Sequence, residues 1–387
     1  MNLTLLLDLD DTLLDTRMQT FIPAYFQALS DYLAGQVPPE KMLQYLMAGT
    51  RQMLKNIDPT RTLREAFDSA FFEPLGIPRQ TLQPLIDRFY EECFPSLQNQ
   101  TGGPRPGASE IVRWALAQGY TVAIATNPLF PLRAIEHRLT WAGLSPRSFP
   151  FALISSYETF HFTKAHPAYY AECLARLGWP EGPALMVGDD EEGDIRMAQQ
   201  AGLAAYPIYA DGGLNALPTW LEHHPAEQLQ PKIESTSAIQ AVLRSTPAVL
   251  PDFVQPLTSQ DWSRSPFAGE WSVTEILCHL RDVETDVNLP RLRLILTDDN
   301  PFLPGQVTDV WALERDYAHQ DGRAALEGFI SARLQTLGLL ADLPAESWLR
   351  TARHAIFGPT TLQELTGFMA EHDRIHVRQI YQTIWGL

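Results

Sequence analysis

The stretch LTLLLDLDDT at residues 3–12 decides the fold of the first half of this chain. The run Leu3–Leu7 carries no charge and ends at Asp8. A short apolar run without polar alternation suits a strand buried on both faces of a parallel sheet. Asp8 and Asp10 stand at i and i+2 just past its end, so both carboxylates leave the sheet at its C-terminal edge. Open α/β sheets place their ligands at that edge. Working outward, Tyr120–Ala125, Ala152–Ile154 and Ala184–Val187 read as further buried strands. Amphipathic helical patterns at Ala108–Gln118 and Ala168–Leu177 lie between them. The alternation predicts an α/β, Rossmann-like parallel sheet with helices on both faces.

One segment breaks this rhythm. From about residue 14 to 103 the pattern is helical throughout, as in FIPAYFQALSDYLAG and LQPLIDRFYEECF. A single crossover needs far less, so the segment reads as a helical cap over the sheet. The α/β domain is expected to span 1–230, with a Gly- and Pro-containing linker over Ala210–Ser235. From Thr236 on, no strand alternation stands out. Helical patterns at about 236–256, 272–297, 322–342 and 361–385 predict an all-α four-helix bundle over 236–387.

With 387 residues and 45% apolar side chains, the chain has enough material for two cored domains. No apolar run is long enough to cross a bilayer, and MNLTLLLDLDD lacks the basic start of a secretory signal. A net charge of −17 argues against binding a nucleic-acid backbone. Cys93, Cys173 and Cys278 are widely spaced, with no CxxC pair. They fit a reducing cytoplasm and no disulfide framework.

The strand-end residues form a chemical set. Phosphoryl transfer needs an anionic nucleophile, a proton shuttle and a cation to offset phosphate charge. Asp8 can attack phosphorus, and Asp10 can protonate the leaving group and later deprotonate water. Thr126 and Asn127 follow a strand and offer a hydroxyl and an amide to phosphoryl oxygens. Lys164, in FTKAHP, can neutralise phosphate and keep the nucleophile ionised. Gly188, Asp189 and Asp194 come from GDDEEGD, also at a strand end. Asp189 suits Mg²⁺, a hard cation that prefers carboxylate oxygen. Each residue alone has a plainer reading: a solvated turn for DLDDT, a surface lysine, an N-cap aspartate. Their common order along the chain, three of them directly after a strand, favours the chemical one. His161 and Phe162 read first as loop and packing residues and second as pocket wall.

DxDxT at 8–12, Thr126, Lys164 and GDxxxxD at 188–194 together resemble the haloacid dehalogenase superfamily, over roughly residues 1–230. The resemblance implies Asp8 as nucleophile, Asp10 as acid/base, and Mg²⁺ on Asp8, Asp189 and the Asp10 carbonyl, with Asp194 behind them orienting Lys164 or a metal water. It places the helical insertion where that superfamily carries a cap. Members that cleave carbon–halogen bonds lack the second aspartate with its Mg²⁺ partner, so Asp10 and Asp189 favour a small phosphorylated metabolite. A phosphosugar mutase would use the same residues. Ala165 departs from the proline that often follows the motif lysine, which bears on loop stiffness rather than on chemistry.

In the second half, Ser272-Val273-Thr274-Glu275 and Thr361-Leu362-Gln363-Glu364 are capping boxes that open helices. His279 lies on the apolar stripe of the first helix. His372 and His376 continue the stripe Leu365, Phe368, Met369 of the second. A histidine pair at i and i+4 can share one metal ion, and a third from a neighbouring helix leaves a coordination position open. The plainer reading is half-buried histidines bonded to carboxylates. Glu371, Asp373, Asp282 and Glu284 are available either way, as partners or as groups that orient ligand rings. EWSVTEILCHLRDVE and GPTTLQELTGFMAEHDRIHVRQI resemble the DinB-like four-helix bundles, over about residues 236–387. That resemblance implies a divalent metal (Zn, Ni, Fe or Mn) on His279, His372 and His376, and a possible homodimer through the bundle. It leaves open a thiol-transferase activity in the bundle, or a bundle that only dimerises or binds.

Overall fold

The computed structural model describes residues 2–209, 212–267 and 269–386. The chain forms two compact units, Met1–Cys173 with Glu181–Pro231, and Leu174–Pro180 with Lys232–Leu387. The opening run becomes β1 (Thr4–Leu7), the middle of a five-stranded sheet. Its companions are β2 (Thr121–Ile124), β3 (Leu153–Ile154), β4 (Ala184–Gly188) and β5 (Ala204–Pro207), in the order β3-β2-β1-β4-β5. All the pairings are parallel, and Leu7 lies opposite both Ile124 and Val187. Three strands therefore end level with one another. Their next residues emerge side by side at one edge: Asp8 after β1, Ala125-Thr126 after β2, and Asp189 after β4. Leu5, Leu7, Ile124 and Val187 are all fully buried, as strands covered on both faces require.

The insertion forms α1 (Met18–Leu33), α2 (Pro39–Lys55), α3 (Leu63–Leu75) and α4 (Arg79–Glu92), followed by a 3₁₀ turn over Phe94–Gln100. Its stem is closed by a short antiparallel pairing of Leu14–Asp15 with Gly103–Pro104. Thr62 and Glu65 cap α3 reciprocally. Phe21, Tyr25, Phe89, Tyr90 and Phe94 pack ring to ring inside it.

The segment expected to be a linker is partly built. Ala210 and Asp211 lie outside the described residues, but Gly213–Glu222 is a helix that buries Leu214, Leu217 and Leu221. Those three leucines stand at helical spacing. The two glycines before them, at φ of 93° and 58°, resemble linker residues in sequence but serve to turn the chain into the helix.

In the second unit the four expected helical patterns form the bundle. They are α5 (Thr236–Val254), α6 (Val273–Val283), α7 (Gly322–Leu340) and α8 (Leu362–Trp385). Past α6 the helix widens through Glu284–Asn288, then continues over Leu289–Thr297. The unit is not wholly helical. β6 (Phe302–Leu303), β7 (Thr351–His354) and β8 (Gly358–Thr361) form a small sheet in which β7 is central. Strands of two to four residues are too short to display an alternation.

Candidate functional sites

The turn after β1 is built by its own aspartates. Asp11 adopts a left-handed conformation at φ 55°, which Asp tolerates better than most residues. Its carboxylate accepts the Thr16 N–H at 3.0 Å. The amides of Leu13 and Leu14 both donate to the Leu9 carbonyl. This tight loop fixes Asp10 two residues beyond Asp8.

Asp8, Lys164 and Asp194 are each 5% exposed or less. The Lys164 ammonium lies 2.5 Å from Asp8 Oδ1 and 2.5 Å from Asp194 Oδ1. Burial opposes its charge, but Asp194 and Asp8 outweigh burial and raise its pKa. Gly188 makes the approach of Asp194 possible: a Cβ there would stand 2.1 Å from Asp194 Oδ2. Asp189 accepts the Thr12 hydroxyl at 3.2 Å. Ligand oxygens of Asp8, Asp189 and Asp194 all lie within 4.8 Å of one another. One lysine among three carboxylates leaves two negative charges uncompensated. Burial and the charge of Asp8 accordingly push Asp189 up to about 6. Asp194 is pushed up to about 7, by burial first, then by Asp8 against the pull of Lys164. A small divalent cation would cancel this excess, and an all-oxygen donor set suits Mg²⁺.

Asp10 sits apart from that cluster. Thr16 Oγ1 donates to its Oδ1 at 2.6 Å, and Arg138 pairs with its Oδ2. Thr126 is aimed at the same oxygen at 3.5 Å. The Thr126 carbonyl in turn accepts from Ser155 and Tyr169, at 2.7 and 2.8 Å. Asn127 Oδ1 accepts the Lys164 backbone N–H at 3.3 Å, so its amide NH₂ faces elsewhere. Arg138 is absent from the sequence expectations. It is 1% exposed, lies over the Phe130 ring at 4.9 Å, and keeps two guanidinium nitrogens, Nε and Nη1, without partners. Burial lowers it to about 10, against the pull of Asp8. The residue stands on an amphipathic helix beside other charged residues, so no local pattern marks it. His161 is a packing residue: its ring nitrogen meets Glu172 at 2.9 Å, away from the aspartates.

The bundle brings the three histidines together. His279 comes from α6, and His372 and His376 from α8, with ring nitrogens of all three within 4.8 Å. His279 Nε2 and His372 Nε2 are 3.0 Å apart. Trp271 covers them, its ring centroid 4.9 Å from that of His279. Burial and the neighbouring His376 lower His279 to about 3, and burial with the other two rings lowers His372 well below its usual value. His376 is lowered by burial as well. Three neutral imidazoles converging without an acid between them form a donor set that fits a divalent transition metal.

The carboxylates expected beside these rings go elsewhere. Glu284 and Asp373 both bind Arg333, which is 1% exposed and meets Glu284 twice at 2.9 Å. Asp282 pairs with Arg281 and Arg315, and Glu371 with Arg374. Among the described residues none of the four bonds a histidine of the triad. Gln379 instead meets His376 Nδ1 at 2.9 Å.

The family of haloacid dehalogenase-like hydrolases matches residues 3–202, just over half of the chain. The chain belongs to the haloacid dehalogenase-like hydrolases. The DinB superfamily matches residues 243–380, so this hydrolase carries a fused DinB-like domain. Over 204 residues it is 29% identical to Probable phosphatase IndB of Dickeya dadantii, a match covering 52% of this chain and 78% of that protein. Over 138 residues it is 25% identical to an Oceanobacillus iheyensis protein, OB0782, whose name calls it a metal-dependent hydrolase; this match covers 36% of the chain and 79% of the other. Among solved structures it is similar to Bacillus subtilis YfiT, described as a probable metal-dependent hydrolase with an unusual four-helix bundle topology. That likeness has 23% identity and a TM-score of 0.35, covering 38% of this chain and 83% of YfiT.

Proposed function

We propose that the first unit is a Mg²⁺-dependent phosphomonoester hydrolase that works through an aspartyl-phosphate on Asp8. The reading rests chiefly on one observation: Lys164 bridges Asp8 and Asp194, while Asp189 completes a cluster short of positive charge. Asp8 Oδ attacks phosphorus, the ester P–O bond breaks, and Asp10 gives a proton to the leaving oxygen. Water then attacks phosphorus, Asp10 takes its proton, and the bond to Asp8 breaks. Thr16 and Arg138 hold the Asp10 carboxyl for both transfers. Lys164 pairs with Asp8 and meets phosphate charge. Thr126 and Asn127 border the same sheet edge and supply donors to phosphoryl oxygens. Mg²⁺ held by Asp8, Asp189 and the Asp10 carbonyl would neutralise the phosphate and so let two anions meet. Asp194 acts through Lys164. The name of the Dickeya relative agrees with a phosphatase.

The bundle, on this proposal, binds a second divalent metal through His279, His372 and His376, with positions left open for a ligand. The experiment is a phosphatase screen in Mg²⁺ on wild type and Asp8→Asn. Hydrolysis of phosphomonoesters by wild type and its collapse in Asp8→Asn support the reading; equal rates contradict it.

A further inference from the structure

The bundle unit contains a cavity of about 270 Å³ whose wall includes Arg291, His354, Phe357, Phe368, Met369 and His372. It shares His372 with the triad, yet its other residues have no place in metal binding. Its charge is one-sided. The Arg291 guanidinium donates to the Pro304 carbonyl at 2.6 Å, and among the described residues no carboxylate pairs with it. Burial alone lowers its pKa, so no nearby acid compensates its charge. His354 is 5% exposed, and its Nδ1 accepts the amides of Ile356 and Phe357 at 3.1 and 3.3 Å. Burial first, and Arg291 next, lower its pKa. A neutral imidazole that accepts at Nδ1 carries its proton on Nε2. Among the described residues no acceptor meets that proton. None of the described lining residues is Asp or Glu, in a chain whose net charge is −17. Asn288, Gln306 and Thr308 also line it, and the rest of the wall is apolar. Phe357 stacks on His354 at 4.7 Å and meets Phe368 at 4.4 Å between ring centroids.

We infer that this cavity binds a small amphipathic anion, its carboxylate or phosphate-type head on Arg291 and His354 Nε2 and its apolar body against Phe357 and Phe368. A partly buried cation with no carboxylate partner and a ring N–H that faces no protein acceptor both favour an anionic oxygen in the cavity. A single anionic oxygen head can meet both, offsetting the charge of Arg291 and accepting from His354 Nε2. Sharing His372 with the triad, the cavity brings such a ligand beside the histidines. The inference concerns the second unit alone and does not rest on the phosphatase reading.

Calorimetric titration of the full chain with phenylacetate, benzylphosphonate and neutral phenylacetamide tests it, on wild type and Arg291→Gln. Benzylphosphonate that binds at the Asp8 site does so equally in both proteins, so only the difference between them counts. The inference expects at least one of the two anions to bind wild type about tenfold more tightly than Arg291→Gln. Phenylacetamide should bind wild type more weakly by a similar factor. Which anion shows the difference identifies the head group. Equal binding by wild type and Arg291→Gln, equal binding of anion and amide, or no binding of either anion overturns it. If Arg291→Gln does not fold, Phe368→Ala at a 43% exposed position takes its place. Unchanged affinity for the anion in Phe368→Ala then overturns it.

Discussion

Replacing Lys164 by methionine removes the one cation that two buried aspartates share. Lys164 is 5% exposed, Asp8 4% and Asp194 1%, so water does little to screen the charges left behind. Removing one partner of a buried pair costs about 3–5 kcal/mol. The loss applies to the first unit and should appear as a lower denaturation midpoint for its transition in chelator. It should shrink in Mg²⁺, because a cation held by Asp8 and Asp189 restores part of the missing positive charge. It should shrink further in the double variant Lys164→Met/Asp194→Asn, since removing one stranded charge relieves the other. The coupling energy of contacting residues is commonly 0.5–3 kcal/mol, and here it should lie near the upper end. Urea titrations of wild type, Asp194→Asn, Lys164→Met and the double variant, each with and without Mg²⁺, measure it. A single variant as stable as wild type, or a double variant no more stable than Lys164→Met, refutes the idea that Lys164 balances these two carboxylates.

Three further outcomes follow from the same geometry. Arg138→Met keeps most of the buried volume and removes two guanidinium nitrogens that have no partners, but it leaves the Asp10 side chain, 14% exposed, without its cation; stability should fall toward the about 3–5 kcal/mol of a broken buried pair, while kcat falls about 10²-fold because Asp10 loses its orienting partner. An unchanged kcat would separate Arg138 from Asp10. In chelator, Asp189 titrates near 6, above its usual 3.8, so the folded state binds the extra proton and stability falls as pH rises through that window. Between about pH 4 and about pH 7, after allowing for water near Asp189, wild type should lose about 1–2 kcal/mol more than Asp189→Asn; equal slopes would contradict the shift. In the bundle, His376→Ala should lose its transition metal by elemental analysis after Mg²⁺ is removed, with phosphatase turnover unchanged; equal metal content in both proteins would argue against the triad.

Much of this site is legible in sequence because its residues follow strands. Asp8, Thr126 and Asp189 each come directly after a short apolar run, and parallel register then sets them side by side. Arg138 is legible in no such way. Its role depends on Asp10, 128 positions away, and its burial depends on the fold around Phe130. The carboxylates near the histidines mislead for a related reason. Glu284 and Asp373 are close in sequence to triad members, but Arg333 reaches both from a third helix and claims them. Linker-like glycines concealed the helix at Gly213–Glu222, and the strands of the second unit are too short to show a period. Spacing reveals what a single element contributes; partners recruited across elements become visible only in three dimensions.

On the proposed function, phosphate passes through a covalent bond to Asp8. Acid quenching during turnover of a phosphomonoester in Mg²⁺, followed by peptide mass spectrometry, tests it most directly. One added phosphoryl group is expected on the peptide that contains Asp8, absent from Asp8→Asn and lost on exposure to mild base. Steady turnover with no phosphoryl adduct under any quench time, or an adduct that persists in Asp8→Asn, would contradict it.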